Sequence, residues 1–208
     1  MTLKELAEKH GSDKAKHGYC EVYEAYWGEM ADQSIDLLEI GVKDGASHRM
    51  WLDFFPQGRI SGMENAQYGN PADRPEDARF KVMGGDQGKL SALWEVAQAL
   101  GPFDIIIDDG GHTMWQQQLS FAALAPWVKP GGYYVIEDLH TSLMDKFYIN
   151  APGKPSETVY TGVKNAPETT LEMLERLIGL GLDACIHRLN DGKSITCVIR
   201  MGKEAKSG

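Results

Sequence analysis

The sequence has little cysteine, and it contains no apolar run of the length that a membrane span requires. Its three cysteines, Cys20, Cys185 and Cys197, lie far apart and form no C-x-x-C pair, so we expect reduced thiols. A membrane helix needs about 20 consecutive apolar residues. Residues 1–11 are polar and predicted to be helical, unlike a secretory signal. The sequence therefore predicts a cytoplasmic protein with no membrane partner.

Basic residues are also in the minority. The 208 residues include 21 Lys and Arg against 30 Asp and Glu, which gives a net charge of -9. Binding to nucleic acid requires a basic face, so we expect no nucleic-acid partner. Internal repeats and low-complexity linkers are absent as well, and the length suits one domain over residues 1–208.

Short apolar runs alternate with helical segments, and this order predicts an α/β fold. Strands are predicted at 36–41, 59–63, 80–83, 103–108 and 133–137, helices at 46–54, 90–100 and 113–125, and a turn at 127–132. The FDIIID strand at 103–108 is apolar almost throughout, as expected for a strand buried on both faces.

The C-terminal part predicts a different kind of connection. A helix is predicted at 169–180, and strands at 184–189 and 194–200 flank Asp191-Gly192, a typical hairpin turn. The fold expected is a mostly parallel, Rossmann-like sheet of seven strands with helices on both faces and a C-terminal antiparallel hairpin. Residues 141–165 have no clean period and are expected to form a substrate loop or lid. Residues 1–32 are expected to form a helical lid or docking segment.

A glycine-containing turn follows the first predicted strand. It reads Glu39-Ile-Gly41-Val-Lys-Asp-Gly45, whereas the dehydrogenase fingerprint G-x-G-x-x-G is absent. Glycine lets the backbone approach a ligand closely, and Glu64 at the end of the second strand could bind ribose hydroxyls. Acidic Glu39 suits a cofactor with a cationic amino-acid part. An ordinary βα turn with a surface Glu64 is the alternative.

Acidic residues end the fourth and fifth predicted strands. Asp109 ends one, and Glu137 and Asp138 end the other, so parallel neighbouring strands would bring the three into one crevice. Clustered carboxylates need a cation or protons between them, and hard oxygen ligands suit Mg²⁺. His112 follows Asp109 closely and could act as a general base on a hydroxyl group.

These assignments have structural alternatives. Asp108 and Asp109 could cap the following helix, and Glu137 and Asp138 could be ordinary polar residues at a strand end. His112 could be a structural hydrogen-bonding histidine. His140 could line the substrate pocket, or it could have a structural role.

The LLEIGVKDGAS segment resembles the first motif of class I S-adenosylmethionine-dependent methyltransferases. The resemblance assigns Gly41 and Gly45 to the methionine end of that cofactor, Glu64 to its ribose and Asp86 to its adenine, and we place Asp108 on the cofactor side as well. This chain departs from the family at Lys43, where glycine is frequent.

A narrower resemblance extends over about residues 6–143. The segments Gly11-Ser12-Asp13-Lys14, His17-Gly18-Tyr19, IIDDGGH, VKPGG and VIEDLHTS are similar to the Mg-dependent bacterial sugar O-methyltransferases of the macrocin and mycinamicin VI type. It implies Asp109, Glu137 and Asp138 as Mg²⁺ ligands and His112 as the base. The family also has larger members with an additional N-terminal domain, which we expect this chain to lack. We also expect a homo-oligomer, as a dimer.

Three other functions remain open. An O-methyltransferase could act on a catechol or another aromatic hydroxyl instead of a sugar. The domain could bind a nucleotide or act as an oxidoreductase without methyl transfer. It could also bind the cofactor without catalysing a reaction, although the full set of acidic residues with His112 argues against that.

Overall fold

The computed structural model describes residues 1–65, 67, 71–147 and 168–202, and seven strands within them form one sheet. The strands are β1 (Asp36–Ile40), β2 (Arg59–Glu64), β3 (Phe80–Gly84), β4 (Phe103–Asp108), β5 (Val128–Ile136), β6 (Ala184–Leu189) and β7 (Ser194–Arg200). Their order across the sheet is β3-β2-β1-β4-β5-β7-β6, with β7 antiparallel to both of its neighbours and the other pairs parallel. The predicted sheet with its C-terminal hairpin is confirmed.

Helices cover both faces of this sheet. They are α1 (Leu3–His10), α2 (Lys14–His17), α3 (Tyr19–Trp27), α4 (Ala46–Phe54), α5 (Leu90–Leu100), α6 (Met114–Leu124) and α7 (Thr170–Gly179). Successive side chains of a strand point to opposite faces. Leu37 accordingly packs with Trp51 and other residues of α1, α3 and α4, whereas Leu38 packs with Leu93 and other residues of α5, α6 and α7. The two faces therefore have separate cores.

The central strand β4 shows why the sheet is buried. Ile105, Ile106 and Ile107 are all inaccessible to solvent, and they contribute alternately to the two cores. A strand covered by helices on both faces needs apolar residues at every position, so its sequence lacks the alternation of a half-exposed strand.

The turn predicted at 127–132 is wrong, because most of that segment belongs to β5. The residues that follow β7 and a partly exposed cation, Lys129, hold it in the sheet. Gly131 N donates to the carbonyls of Met201 and Gly202, and Met201 N donates back to Gly132 O. Lys129 Nζ lies 2.8 Å from an oxygen of Asp36, which places a charged anchor where the sequence suggested a surface turn.

Two parts of the prediction lie at the limits of the described residues. Of the expected substrate loop, positions 148–165 lie outside them, and residues 141–147 form short 3₁₀ turns. Within the described ranges, no helix has both the length and the apolar character to cross a membrane.

Candidate active site

A pocket of about 960 Å³ lies beyond the carboxyl ends of the parallel strands. Gly41 and Glu64 line it from β1 and β2, Asp109 and His112 from the segment after β4, and Asp138 from the segment after β5. Parallel strands in a doubly wound sheet present ligand sites at this edge. The volume suits a nucleoside-sized molecule, since ligand pockets measure about 300–1,000 Å³.

The acidic residues of neighbouring strands do come together. β4 and β5 pair in parallel with Asp108 opposite Ile136, so Asp109 and Glu137 leave the sheet side by side. Potential ligand atoms of Asp109, His112 and Asp138 lie within 4.8 Å of one another, and all three residues line the pocket. We call these three residues the outer group.

A second set of carboxylates lies deeper. Ligand atoms of Glu39, Asp109 and Glu137 also lie within 4.8 Å of one another, and we call these residues the inner group. Glu39 and Glu137 are 0% and 1% exposed, and neither lines the pocket. Asp109 belongs to both groups and connects them.

The ammonium of Lys14 occupies the centre of the inner group. Its Nζ lies 2.9 Å from Glu39 Oε1, 2.7 Å from Asp109 Oδ2 and 2.8 Å from each oxygen of Glu137. Lys14 is only 1% exposed. Burial would lower the pKa of this ammonium, but the three carboxylates outweigh burial and raise the pKa well above its ordinary value. Lys14 therefore carries its charge inside the protein.

Burial and the Lys14 charge also shift the pKa values of the carboxylates, in opposite directions. Burial raises the pKa of Glu137 well above its ordinary range and the neighbouring carboxylates add to this, whereas Lys14 lowers it. Burial also raises the pKa of Glu39, but Lys14 and His48 reverse the effect, so the pKa of Glu39 is lowered. Asp138 has a lowered pKa as well, because nearby His112 and the Tyr19 hydroxyl offset its burial.

Two tyrosines of the N-terminal segment donate hydrogen bonds to carboxylates of the inner and outer groups. Tyr19 Oη donates a 2.8 Å hydrogen bond to Asp138 Oδ1, and Tyr23 Oη donates a 2.7 Å hydrogen bond to Glu137 Oε1. Gly11, Ser12 and Asp13 meanwhile line the pocket. The N-terminal segment therefore belongs to the site rather than standing apart from it.

His112 lies at the pocket wall in a strained conformation. Its φ is +58°, in the left-handed region that non-glycine residues seldom adopt. Its Nε2 lies 3.5 Å from Asp138 Oδ2, and its buried Nδ1 has no hydrogen-bond partner among the described residues. Asp138 has a similar φ of +55°. Unusual backbone conformations of this kind concentrate at functional sites.

Glu64 organises the loop that follows β1. Its Oε2 accepts hydrogen bonds from the backbone N–H groups of Val42, at 2.8 Å, and Lys43, at 2.5 Å. Lys43 has a φ of +51°, a left-handed conformation that glycine adopts more readily than lysine does. Glu64 also lines the pocket, but part of its acceptor capacity is already used by the protein.

Gly41 permits a close approach between the β1 and β4 ends. Its φ is +95°, and a Cβ atom there would lie only 2.2 Å from the carbonyl oxygen of Asp109. A side chain at position 41 would displace the segment that carries Asp109.

Two of the predicted cofactor residues border the pocket without lining it. Gly45 caps α4 between Asp44 and Ala46, which line the pocket, and Asp86 lies between Gly85 and Gln87, which also line it. Asp108 is buried, accepts a 2.6 Å hydrogen bond from Gln87 Nε2 and has a pKa raised to about 7 by burial. Glu39 does bind a cation, but that cation is the ammonium of Lys14.

The outer group fits a divalent cation. It offers two carboxylates beside His112, and it opens to a pocket from which water and a substrate oxygen could complete the coordination. Mg²⁺ is usually bound by one or two carboxylates plus waters and substrate oxygens. The predicted ligand Glu137 lies behind this position, with both oxygens hydrogen-bonded to Lys14.

Sequence reasoning missed Lys14, Tyr19 and Tyr23 as components of the acidic site, and Gln87 as part of the pocket. The available signal was charge: several buried carboxylates require a cation, and a lysine can supply it as well as a metal can. Lys14 belongs to the N-terminal segment, for which the sequence predicts only a lid or docking element.

A doubly wound sheet with a pocket at this edge defines an α/β domain that binds a nucleotide-like ligand. Residues 38–139 match a family model described as a methyltransferase domain. These residues therefore form a methyltransferase domain.

Its curated relatives are longer proteins. The chain is 38% identical over 149 residues to 8-demethyl-8-(2-methoxy-α-L-rhamnosyl)-tetracenomycin-C 3'-O-methyltransferase of Streptomyces olivaceus, covering 67% of this chain and 37% of that protein. It is 36% identical over 154 residues to mycinamicin VI 2''-O-methyltransferase of Micromonospora griseorubida, covering 70% of this chain and 38% of that protein. The chain thus spans about two fifths of the length of these relatives.

Solved structures show the same fold. The MycE methyltransferase from the mycinamycin biosynthetic pathway, in complex with Mg, SAH and mycinamycin VI, superposes with a TM-score of 0.76 at 30% identity, over 100% of this chain and 56% of that chain. The Methanococcus jannaschii fibrillarin pre-rRNA processing protein, at 18% identity and a TM-score of 0.53, covers 83% of this chain and 69% of that chain and shares the fold alone.

Proposed function

We propose that this chain transfers a methyl group from S-adenosylmethionine to a hydroxyl group of a sugar or glycosylated metabolite, with a divalent metal ion at the outer group. The observation that carries the proposal is the position of Asp109, His112 and Asp138 on the wall of the pocket that Gly41 and Glu64 also line. The MycE structure, which contains Mg, SAH and mycinamycin VI, supports the choice of a divalent metal ion and of S-adenosylmethionine.

Asp109 and Asp138 are the proposed metal ligands nearest the pocket, and we retain Glu137 as a third. A metal ion bound there would polarise and acidify a substrate hydroxyl, and Mg²⁺ suits such oxygen ligands. Glu137 could ligate only after giving up a hydrogen bond to Lys14 or Tyr23. We therefore expect Asp138→Asn to weaken metal binding more than Glu137→Gln.

His112 is the proposed general base. S-adenosylmethionine would supply the methyl group as a sulfonium, with Gly41 and Glu64 at its site. The hydroxyl proton passes to His112 while the hydroxyl oxygen forms a bond to the methyl carbon and the carbon–sulfur bond breaks. Positioning of the two reactants supplies much of the rate in such a displacement.

The acceptor is proposed from the relatives, which are named for methylation of a rhamnosyl-tetracenomycin and of mycinamicin VI. We propose that the segment 141–165 contributes to acceptor choice; residues 141–147 of it lie in the described ranges. Organisation as one domain, a dimeric state, a cytoplasmic location and the absence of nucleic-acid and membrane partners remain predictions.

Radiolabelled S-adenosylmethionine tests the proposal directly. Purified chain is incubated with Mg²⁺ and a panel of rhamnosyl glycosides, macrolide glycosides and catechols, and label transfer is measured. Transfer to a glycoside that stops in EDTA and returns with Mg²⁺ supports the proposal. Transfer only to catechols would favour the aromatic alternative. Calorimetric binding of NAD without binding of S-adenosylmethionine would contradict methyl transfer.

A further inference from the structure

We propose that Lys14 is a positioning residue that fills the inner group with a tethered cation and thereby confines a divalent metal ion to the outer group. This inference rests on the proposed function, because it concerns where the metal of that reaction lies. It gives the N-terminal segment a role in metal placement, beyond that of a lid or docking element.

The inner group has the spacing of a metal site, but Lys14 occupies it. Glu39, Asp109 and Glu137 present ligand atoms within 4.8 Å of one another, a spacing that could hold a metal ion as well as the outer group could. The ammonium of Lys14 already lies 2.7 to 2.9 Å from all three. A metal ion could enter the inner group only by displacing Lys14, which is 1% exposed.

Removal of the Lys14 ammonium would change the charge balance of the inner group. Removing one partner of a buried ion pair leaves an uncompensated charge, and here three carboxylates would lose their common cation. The inner group would then attract a divalent ion, because its carboxylates would have lost the cation that lies between them. An ion drawn inward would lie behind the pocket wall, away from a hydroxyl held in the pocket.

Asp109 belongs to both the inner and the outer group. Lys14 donates to its Oδ2, and this bond restricts rotation of the carboxylate. Lys14 thus fixes the orientation of this carboxylate as well as blocking the inner position. Residues that orient metal ligands typically change metal affinity or activity by about 10- to 100-fold when mutated.

Lys14 lies in a segment of the chain that contacts the pocket and both groups. It begins the short helix α2, and Ser12 and Asp13 immediately before it line the pocket. Tyr19, a few residues later, holds Asp138 of the outer group. One segment therefore contacts the pocket, the inner group and the outer group, so the position of the ion depends on how this segment is packed.

The test compares metal binding with turnover in Lys14→Met. Mn²⁺ binding to the purified chain, without methyl donor, is measured from the loss of the free-ion electron paramagnetic resonance signal. Turnover is measured with saturating Mn²⁺ on an acceptor that the unmodified chain methylates. We expect Lys14→Met to bind Mn²⁺ at least as tightly as the unmodified chain while its turnover falls by about 10-fold or more, without recovery in excess metal.

Controls separate this role from a structural one. Lys4→Met removes the same charge from an exposed ion pair with Glu21 and should change neither measurement. Lys14→Met/Glu39→Gln removes one carboxylate along with the cation and serves if Lys14→Met does not fold; its turnover should also fall without loss of Mn²⁺ affinity. Melting curves establish that each variant is folded.

The outcomes are distinguishable. If the folded Lys14 variants lose Mn²⁺ affinity in proportion to turnover, or change in neither, the inference is overturned while the proposed function stands. If the unmodified chain binds no Mn²⁺ and methylates no acceptor, the proposed function fails and this inference fails with it.

Discussion

The hydroxyl of Tyr19 bonds twice to Asp138: it donates to Oδ1 at 2.8 Å and accepts from the backbone N–H at 3.3 Å. Asp138 has a left-handed backbone with a φ of +55° and belongs to the outer group. One phenol from the N-terminal segment thus holds both the backbone and the carboxylate of a proposed metal ligand.

Tyr19→Phe should therefore weaken metal binding. The variant keeps the ring and loses both hydrogen bonds, so Asp138 becomes free to rotate, and we expect the Kd for Mn²⁺ to rise about 10-fold. Tyr26→Phe is the matched control, since its hydroxyl lies 3.2 Å from His187 rather than near the carboxylates. Equal Kd values for Tyr19→Phe and Tyr26→Phe would show that Tyr19 does not support the metal site.

His112→Ala should reduce kcat while leaving cofactor binding almost unchanged. A positioned general base contributes about 10²-fold or more, and His112 lies 3.5 Å from Asp138, whereas Gly41 and Glu64 are the residues proposed at the cofactor. The measurements are steady-state turnover and calorimetric binding of S-adenosylhomocysteine. His140→Ala provides the comparison, because His140 also approaches Asp138, at 3.9 Å, and we expect its loss to cost less. Unchanged turnover in His112→Ala would remove His112 from the mechanism.

Much of the fold could be predicted because its signals are local. The FDIIID run predicts a buried strand, and Asp191-Gly192 predicts a hairpin; the structure has β4 and the β6–β7 pair at those positions. The 127–132 segment was mispredicted because its extension depends on Met201 and Asp36, which are distant in the sequence.

Part of the candidate site could likewise be predicted from the sequence, and part could not. Asp109, His112 and Asp138 could be placed at one edge because parallel strands end together. Lys14 could not, since its partners Asp109 and Glu137 are 95 and 123 positions away and nothing in the sequence distinguishes a buried lysine from an exposed one.

Gly41→Ala should destabilise the protein more than Gly131→Ala. Both glycines have positive φ values, +95° and +84°, and a left-handed conformation costs an alanine about 1–2 kcal/mol. A Cβ at position 41 would also collide with the carbonyl oxygen of Asp109, whereas a Cβ at position 131 would meet nothing within 4 Å. Because overpacking adds about 1–3 kcal/mol, the difference should appear in urea unfolding. Equal losses would mean that the β4 end relaxes without cost.

Asp36 provides a pH-dependent test of the fold away from the pocket. Burial tends to raise the pKa of its carboxyl, but Arg59 and Lys129 outweigh burial and lower it below its ordinary value. The folded state therefore favours the ionised form, so the contribution of Asp36 to stability is complete above the unfolded pKa of about 3.9 and is lost as the pH falls through the folded pKa.

We expect the unmodified chain to exceed Asp36→Asn in unfolding free energy by on the order of 1 kcal/mol between pH 5 and 7. This gap should shrink as the pH falls below about 4, because both chains then carry a neutral group at position 36. Urea unfolding from pH 3 to pH 7 measures the gap. Repeating the pair in a Lys129→Met background should reduce it at neutral pH, since Lys129 Nζ lies 2.8 Å from Asp36 Oδ2. A gap that stays constant or widens in acid would show that these cations do not stabilise the ionised carboxylate.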